Sequence, residues 1–125
     1  VQDIRSGGVL GCLPDPVPGR GEGVWAPFFG RPAFTMTFPM KMAHQFDAVC
    51  IVMTSVRVPG GWKLDAQVLD YRATGDALAD ATAMNEAIEK AVMKTPEQYL
   101  WNYNRYKGVA HHVKNPEPKE SDSCK

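Results

Sequence analysis

Three histidines offer acid–base chemistry, and none has a neighbour that completes it. His44 falls inside a helix-forming stretch with Asp47 as its nearest acid, a setting that usually means a half-buried or exposed side chain. His111 and His112 fall in a polar tail and read as incidental. No His-x-x-x-His or His-Glu pair occurs, which argues against a hydrolytic zinc site. No serine has the Gly-x-Ser-x-Gly setting of a nucleophile elbow. The run Gly19-Arg20-Gly21-Glu22-Gly23 tempts a phosphate-loop reading, but position 24 is Val and no Gly-Lys-Ser/Thr follows. Its surroundings say more. Asp15 follows an apolar run, Arg20 lies in the glycine-rich turn, and an aromatic stretch ends at Gly30-Arg31. Loops at strand ends are where open α/β sheets take ligands, and two arginines so close can hold a phosphate. Near the C-terminus, Tyr99, Trp101, Tyr103 and Tyr106 are interleaved with Gln98, Arg105 and Lys107. Such a segment closes a core with its rings, or presents a basic-aromatic edge to an anionic amphiphile.

Composition narrows the classes. The 125 residues carry 14 Lys plus Arg against 14 Asp plus Glu, so the net charge is zero and a broadly basic nucleic-acid binder is disfavoured. Hydrophobic residues at 44% and charged ones at 22% are those of a globular domain able to bury a small core. Three cysteines make no disulfide scaffold; Cys12 and Cys50, in apolar runs, are expected as buried free thiols. Nothing calls for a metal or cofactor. The most apolar stretch, 48–56, is too short to span a bilayer, and the start VQDIRSGG has neither a signal pattern nor an initiator Met. Processing of the N-terminus and a segment of a longer chain would each account for this start.

The elements that must position these residues follow from periodicity. Residues 1–5 read as a last helical turn stopped by Gly7 and Gly8. The apolar run 9–13 suits a strand covered on both faces, and 14–23, rich in Pro and Gly, a loop. Residues 24–29 read as an aromatic strand that Gly30 and Pro32 break. Thr37 is placed to cap a helix over 38–46 with Pro39 in its first turn. Positions 48–58 form the best strand, and the alternating 62–69 pairs antiparallel with it across Pro59-Gly60-Gly61. Positions 76–94 form the clearest helix, with Leu78, Ala81, Met84 or Asn85, Ile88, Ala91 and Val92 on one side. Thr95-Pro96-Glu97 restarts a helix, and 108–125 read as a mobile tail. The class is α/β: a partial mixed sheet with flanking helices. A strand at 9–13 with no partner before it would be a naked edge, so the sheet is expected to continue N-terminal to Val1.

Taken in order, these residues resemble a known family. Asp15, then PGRGEGVWAPFFGRPAFT (18–35), MAHQFDA, AVCIVMTSVR and MNEAIEKAVMKTPEQYLWNYNRYK are similar to the C-terminal half of the lipid A biosynthesis (lauroyl/myristoyl) acyltransferases, a branch of the lysophospholipid acyltransferase superfamily. The likeness covers 1–107, and PFFGR (27–31), PEQYLW (96–101) and RYK (105–107) carry it most strongly. It implies the C-terminal part of a glycerol-3-phosphate-acyltransferase-like fold. It also implies transfer of an acyl chain from an acyl carrier protein thioester to a hydroxyl of a lipid A precursor, at the cytoplasmic face of the inner membrane. The family's base is a His followed five positions on by an acid, which takes the proton of a hydroxyl otherwise too weak a nucleophile. Here His44 is followed at that distance by Val49 and His111 by Pro116. His112 reaches Glu117, but beyond the last family motif, where the family places no base. The catalytic motif is therefore expected outside this chain, along with any membrane anchor. Smaller departures are Pro16 where Gln is common, Tyr103 where His is common, and Asn104 where a basic residue is common.

The resemblance implies roles in substrate binding. Asp15, Arg20 and Gly23 would shape a loop near the acceptor phosphate or the catalytic centre. Phe28, Phe29, Gly30 and Arg31 would wall the sugar-phosphate and acyl entry, with Arg57 ending the central strand on the same side. Glu97, Gln98, Trp101, Arg105 and Lys107 would close the site or touch the membrane surface. The competing reading is a non-catalytic module that binds an anionic lipid or a protein partner through the same face. No nucleic acid is expected in either case.

Overall fold

A computed structural model describes residues 2–108. The expected tail, from 109 onward, lies outside the described residues. The chain is mixed α/β. Its elements are α1 (Gln2–Arg5), β1 (Gly23–Phe28), β2 (Arg31–Met36), α2 (Phe38–Phe46), β3 (Ile51–Val58), β4 (Gly61–Val68), α3 (Ala77–Lys94) and a single 3-10 turn, Pro96–Gln98. The strands form two separate antiparallel ribbons, β1–β2 and β3–β4, in place of the expected partial mixed sheet.

The β1–β2 hairpin corrects the expectation that Gly30 and Pro32 end a strand. Phe28 pairs with Arg31, leaving a two-residue turn of Phe29 (φ 48°) and Gly30 (φ 75°). Both are left-handed, which suits the primed turns that match the twist of a hairpin. Pro27 faces Pro32 across the ribbon. Each strand has one partner, so a proline's missing N–H can face the open edge without breaking the ladder. The predicted β3–β4 hairpin forms in register from Ile51↔Val68 to Val58↔Gly61, with β3 starting at Ile51, later than position 48.

The run 9–13 makes no strand. Val9 is 93% and Leu13 79% exposed. Apolar sequence alone does not make a strand, because its backbone groups need a neighbour to pair with. Cys12 is exposed and Cys50 half-buried, so the pair is not the buried one expected. Burial still raises both thiols above their ordinary value, so neither is an activated nucleophile. After Thr95 the expected helix tightens into one 3-10 turn. Thr37 does not cap α2 with its side chain; its hydroxyl donates to Glu22 O instead.

The core lies where α3 crosses the β1–β2 hairpin, with α2 beside it. Ala26, Phe28, Ala33 and Phe34 from the hairpin meet Ala81 and Met84 of α3 and Met40 and Ala43 of α2 among the buried residues. Asp76 caps α3 by accepting from Ala79 N. The loop into α3 is drawn onto the helix by Asp80. Its buried carboxylate accepts from Tyr71 Oη, from Thr74 N and Oγ1, and from Gly75 N, at 2.9–3.0 Å. Among the described residues no helix is long and apolar enough to cross a membrane.

Candidate functional site

The hairpin turn at Phe29-Gly30 and the C-terminal segment meet on one face. Two internal anchors fix that meeting. Arg105, only 3% exposed, donates from Nη1 to Phe34 O at 2.7 Å and from Nη2 to Thr35 Oγ1 at 3.0 Å and Asn85 Oδ1 at 3.5 Å. Asn85 Nδ2 donates to Pro27 O and Thr35 Oγ1, both at 2.9 Å. The buried guanidinium thus closes a polar network linking β1, β2, α3 and the C-terminal segment. Burial lowers the Arg105 pKa, and the Asp15 carboxylate, 3.8 Å from Nε, opposes that shift.

Asp15 is also the acceptor for Tyr99. The phenol donates to both carboxylate oxygens, at 2.8 and 2.9 Å. Burial and then this hydrogen-bonded carboxylate push the Tyr99 phenol well above its ordinary value, so it holds its proton and serves as a fixed donor. Tyr103 Oη accepts from Val17 N at 2.9 Å, and Tyr106 Oη donates to Phe28 O at 2.8 Å. Three tyrosines therefore pin the loop after Pro14 and the hairpin tip to one segment.

The rings line this face. Phe28 and Phe29 lie edge to face with centroids 4.8 Å apart, and Phe29 meets Trp101 at 5.9 Å. Trp101 meets Tyr99 edge-on at 4.8 Å and donates from Nε1 to Pro96 O. The Arg31 guanidinium stacks over the Tyr106 ring at 4.2 Å, and Lys107 Nζ lies 4.9 Å from the Tyr103 centroid. Trp101 is exposed on this face.

Of the residues singled out from sequence, Asp15, Phe28, Phe29, Gly30, Arg31, Trp101 and Arg105 come together here, and Lys107 flanks them. Arg105 is turned inward as an anchor, so of the two roles expected for it, closing the site or touching the membrane surface, its burial speaks against the second. Arg57 and Gln98 pair elsewhere. The Gln98 amide bonds the Arg57 backbone at both N and O (2.7 and 3.0 Å), while the Arg57 guanidinium lies over Trp62 at 5.1 Å. This joins the 3-10 turn to β3. Arg20 is exposed at a central position of the Gly19–Glu22 turn, closed by the bond from Glu22 N to Gly19 O. Gly23 is fixed by packing: a Cβ there would lie 2.6 Å from Thr35 O and 2.7 Å from Pro18 Cγ. Glu97 is exposed in the 3-10 turn. His44 stacks against the loop before α3, its Nδ1 3.1 Å from Ala73 O, and the nearby Asp47 is ion-paired with Arg72. His111 and His112 lie outside the described residues.

Sequence reasoning missed Glu89, whose Oε1 accepts from Phe29 N at 2.6 Å, and it left Asn85 undecided between stripe and surface. A polar residue within the apolar stripe of α3 was the available signal for Asn85. Glu89 follows Asn85 by four residues and so shares its side of α3, but its charge made it read as solvated. Among the described residues no cluster of three or more His, Cys, Asp or Glu could hold a metal.

Comparison with known proteins gives this face a context. The profile of the bacterial lipid A biosynthesis acyltransferases matches residues 1–108. The chain belongs to that family. It is 29% identical over 111 residues to the lipid A biosynthesis lauroyltransferase of Escherichia coli strain K12, covering 86% of this chain and 36% of that protein. It is 30% identical over 107 residues to the lipid A biosynthesis palmitoleoyltransferase of the same strain, covering 83% of this chain and 35% of that one. A lipid A biosynthesis acyltransferase of Haemophilus influenzae is 33% identical over 99 residues, covering 78% and 31%. The chain thus spans about a third of the length of the curated relatives it matches.

Proposed function

We propose that this segment forms the acceptor-binding wall of a lipid A acyltransferase. In that enzyme an acyl chain passes from an acyl carrier protein thioester to a hydroxyl of a lipid A precursor, at the cytoplasmic face of the inner membrane. The observation that carries this reading is the family match over 1–108, which spans every residue of the aromatic-arginine face. Arg31, stacked on the Tyr106 ring, and the Phe29–Trp101 ring pair offer a cation and apolar surface, the combination that a phosphorylated head group with acyl chains requires. Residues 1–107 then form the C-terminal half of a glycerol-3-phosphate-acyltransferase-like domain, whose sheet takes up the two ribbons.

In this reading the proton-abstracting histidine and its acid come from the family's other half. The attacking hydroxyl gives its proton to that histidine as its oxygen bonds to the thioester carbon. The carbon–sulfur bond then breaks, and the carrier thiolate takes up a proton. This segment's part is to hold the acceptor. The alternative, a module that binds an anionic lipid or protein partner without chemistry, predicts binding with no transfer.

The test joins this segment to the His-bearing half of the Escherichia coli lauroyltransferase. The joined protein is incubated with acyl carrier protein thioester and lipid A precursor and read by mass spectrometry. The precursor should gain the mass of one acyl chain, roughly tenfold more slowly in Arg31→Ala. Binding without mass gain in a folded protein would favour the module.

A further inference from the structure

The most strained residue on the site face is Phe29. A bulky side chain at φ 48° is a true outlier, where Asn or Gly would be the ordinary occupant of a two-residue hairpin turn. Such conformations persist only where their surroundings over-determine them, and they concentrate at functional sites. Three contacts hold this one: the Phe28 ring on one side, the Trp101 ring on the other, and the Glu89 carboxylate on its N–H at 2.6 Å.

Glu89 is the only one of the three that acts on the turn's backbone. It comes from α3, one helical turn beyond Asn85, which grips Pro27 O and Thr35 Oγ1 of the same hairpin. Asn85 therefore fixes the hairpin's body and Glu89 fixes its tip. The tip places Phe29 against Trp101 and starts β2 at Arg31, whose guanidinium lies on Tyr106.

We infer that Glu89 is a positioning residue for acceptor binding. Its carboxylate holds the Phe29-Gly30 turn in the strained conformation that seats the Phe29 ring against Trp101 and starts β2 so that the Arg31 guanidinium rests on Tyr106, ready for a phosphorylated, acylated ligand. This rests on the proposed acceptor-binding role, and it adds a residue on another element that need not touch the ligand. A carboxylate merely satisfying a stray N–H would affect stability and leave affinity alone.

The experiment uses the whole 125-residue chain with Glu89→Ala, Glu89→Gln and Glu89→Asp. Two quantities are read: affinity for a phosphorylated lipid A precursor in detergent micelles, and hydrogen exchange at the Phe29 amide. Glu89→Ala should bind roughly tenfold more weakly and exchange Phe29 faster, the loss expected for one charge-assisted hydrogen bond. Glu89→Gln keeps an acceptor oxygen at the same reach and should recover most of both. Glu89→Asp keeps the charge but falls one methylene short, and it should behave like Ala; it carries the comparison if the Ala variant does not fold. Unchanged affinity or unchanged Phe29 exchange in Ala and Asp would overturn the inference. If the parent chain does not bind the precursor, the acceptor reading fails. Exchange alone then decides the tip-holding role, sustained by fast exchange in Ala and Asp with slow exchange in Gln, and overturned by any other pattern.

Discussion

Arg105 and Asp80 show how a charged side chain becomes structure in a small core. Arg105 brings one cation to acceptors on β2 and α3, and removing it takes a buried donor away from Phe34 O, Thr35 Oγ1 and Asn85 Oδ1. Arg105→Ala should therefore destabilise the fold by about 3 kcal/mol, read from urea unfolding, since breaking a buried charged network costs far more than losing a surface pair. An unchanged midpoint would show that the network is dispensable. Asp80 is the acidic counterpart. Burial disfavours its charge, but hydrogen bonds from the Thr74 backbone, Tyr71, the Thr74 hydroxyl and the Gly75 backbone outweigh that and hold the carboxyl below its ordinary value. Its folded pKa is thus depressed, so its stabilising effect is fully present above the unfolded value of about 3.9 and is lost as pH falls through the folded value. Thermal midpoints should accordingly drop more between pH 5 and pH 3, on the order of that window, in the parent than in Asp80→Ala. Parallel curves would remove Asp80 from the account.

The hairpin is the element on which the site depends, and its tightness can be tested. Gly23 has no room for a methyl group, with Thr35 O and Pro18 Cγ both under 3 Å from where it would sit. Gly23→Ala should destabilise by about 2 kcal/mol, because the nearest obstacle is backbone of the paired strand. A neutral substitution would mean that the ribbon gives more easily than its packing implies. The same element marks what the sequence could and could not tell. The α3 helix and the β3–β4 hairpin were legible, since period and turn glycines agree with their packing. β2 was hidden because Gly30 and Pro32 look like breakers, yet one is a turn residue and the other lies where a two-stranded ribbon tolerates proline. The strand expected at 9–13 failed for the opposite reason: its apolar pattern is real, but no strand among the described residues pairs with it. At the site, the PFFGR turn and the aromatic-basic segment were visible as composition. That Arg105 turns inward, and that Glu89 reaches the turn, depends on how α3 crosses the hairpin, which no local pattern encodes. Cys12, exposed beside Met36, should react with a maleimide faster than the half-buried Cys50; equal rates would contradict the placement of 9–13.

At the scale of the molecule, the β3–β4 ribbon carries an apolar face. Ile51, Met53, Trp62, Leu64 and Val68 alternate onto the side away from α3, and all are exposed. A soluble domain rarely shows so continuous a patch. The protein should therefore bind the dye ANS in its folded state, and Met53→Lys with Leu64→Lys should abolish most of that signal. The opposite side of the ribbon and the β1–β2 hairpin both pack on α3, so one helix links this patch to the aromatic-arginine face. The proposed function requires that face to hold a phosphorylated lipid. The direct measurement is a titration with micelles of lipid A precursor, phosphorylated and dephosphorylated, against the parent chain and Arg31→Ala. The account predicts binding that depends on the phosphate and weakens roughly tenfold in Arg31→Ala. Equal affinity for the two lipids, or no effect of losing the guanidinium, would contradict it.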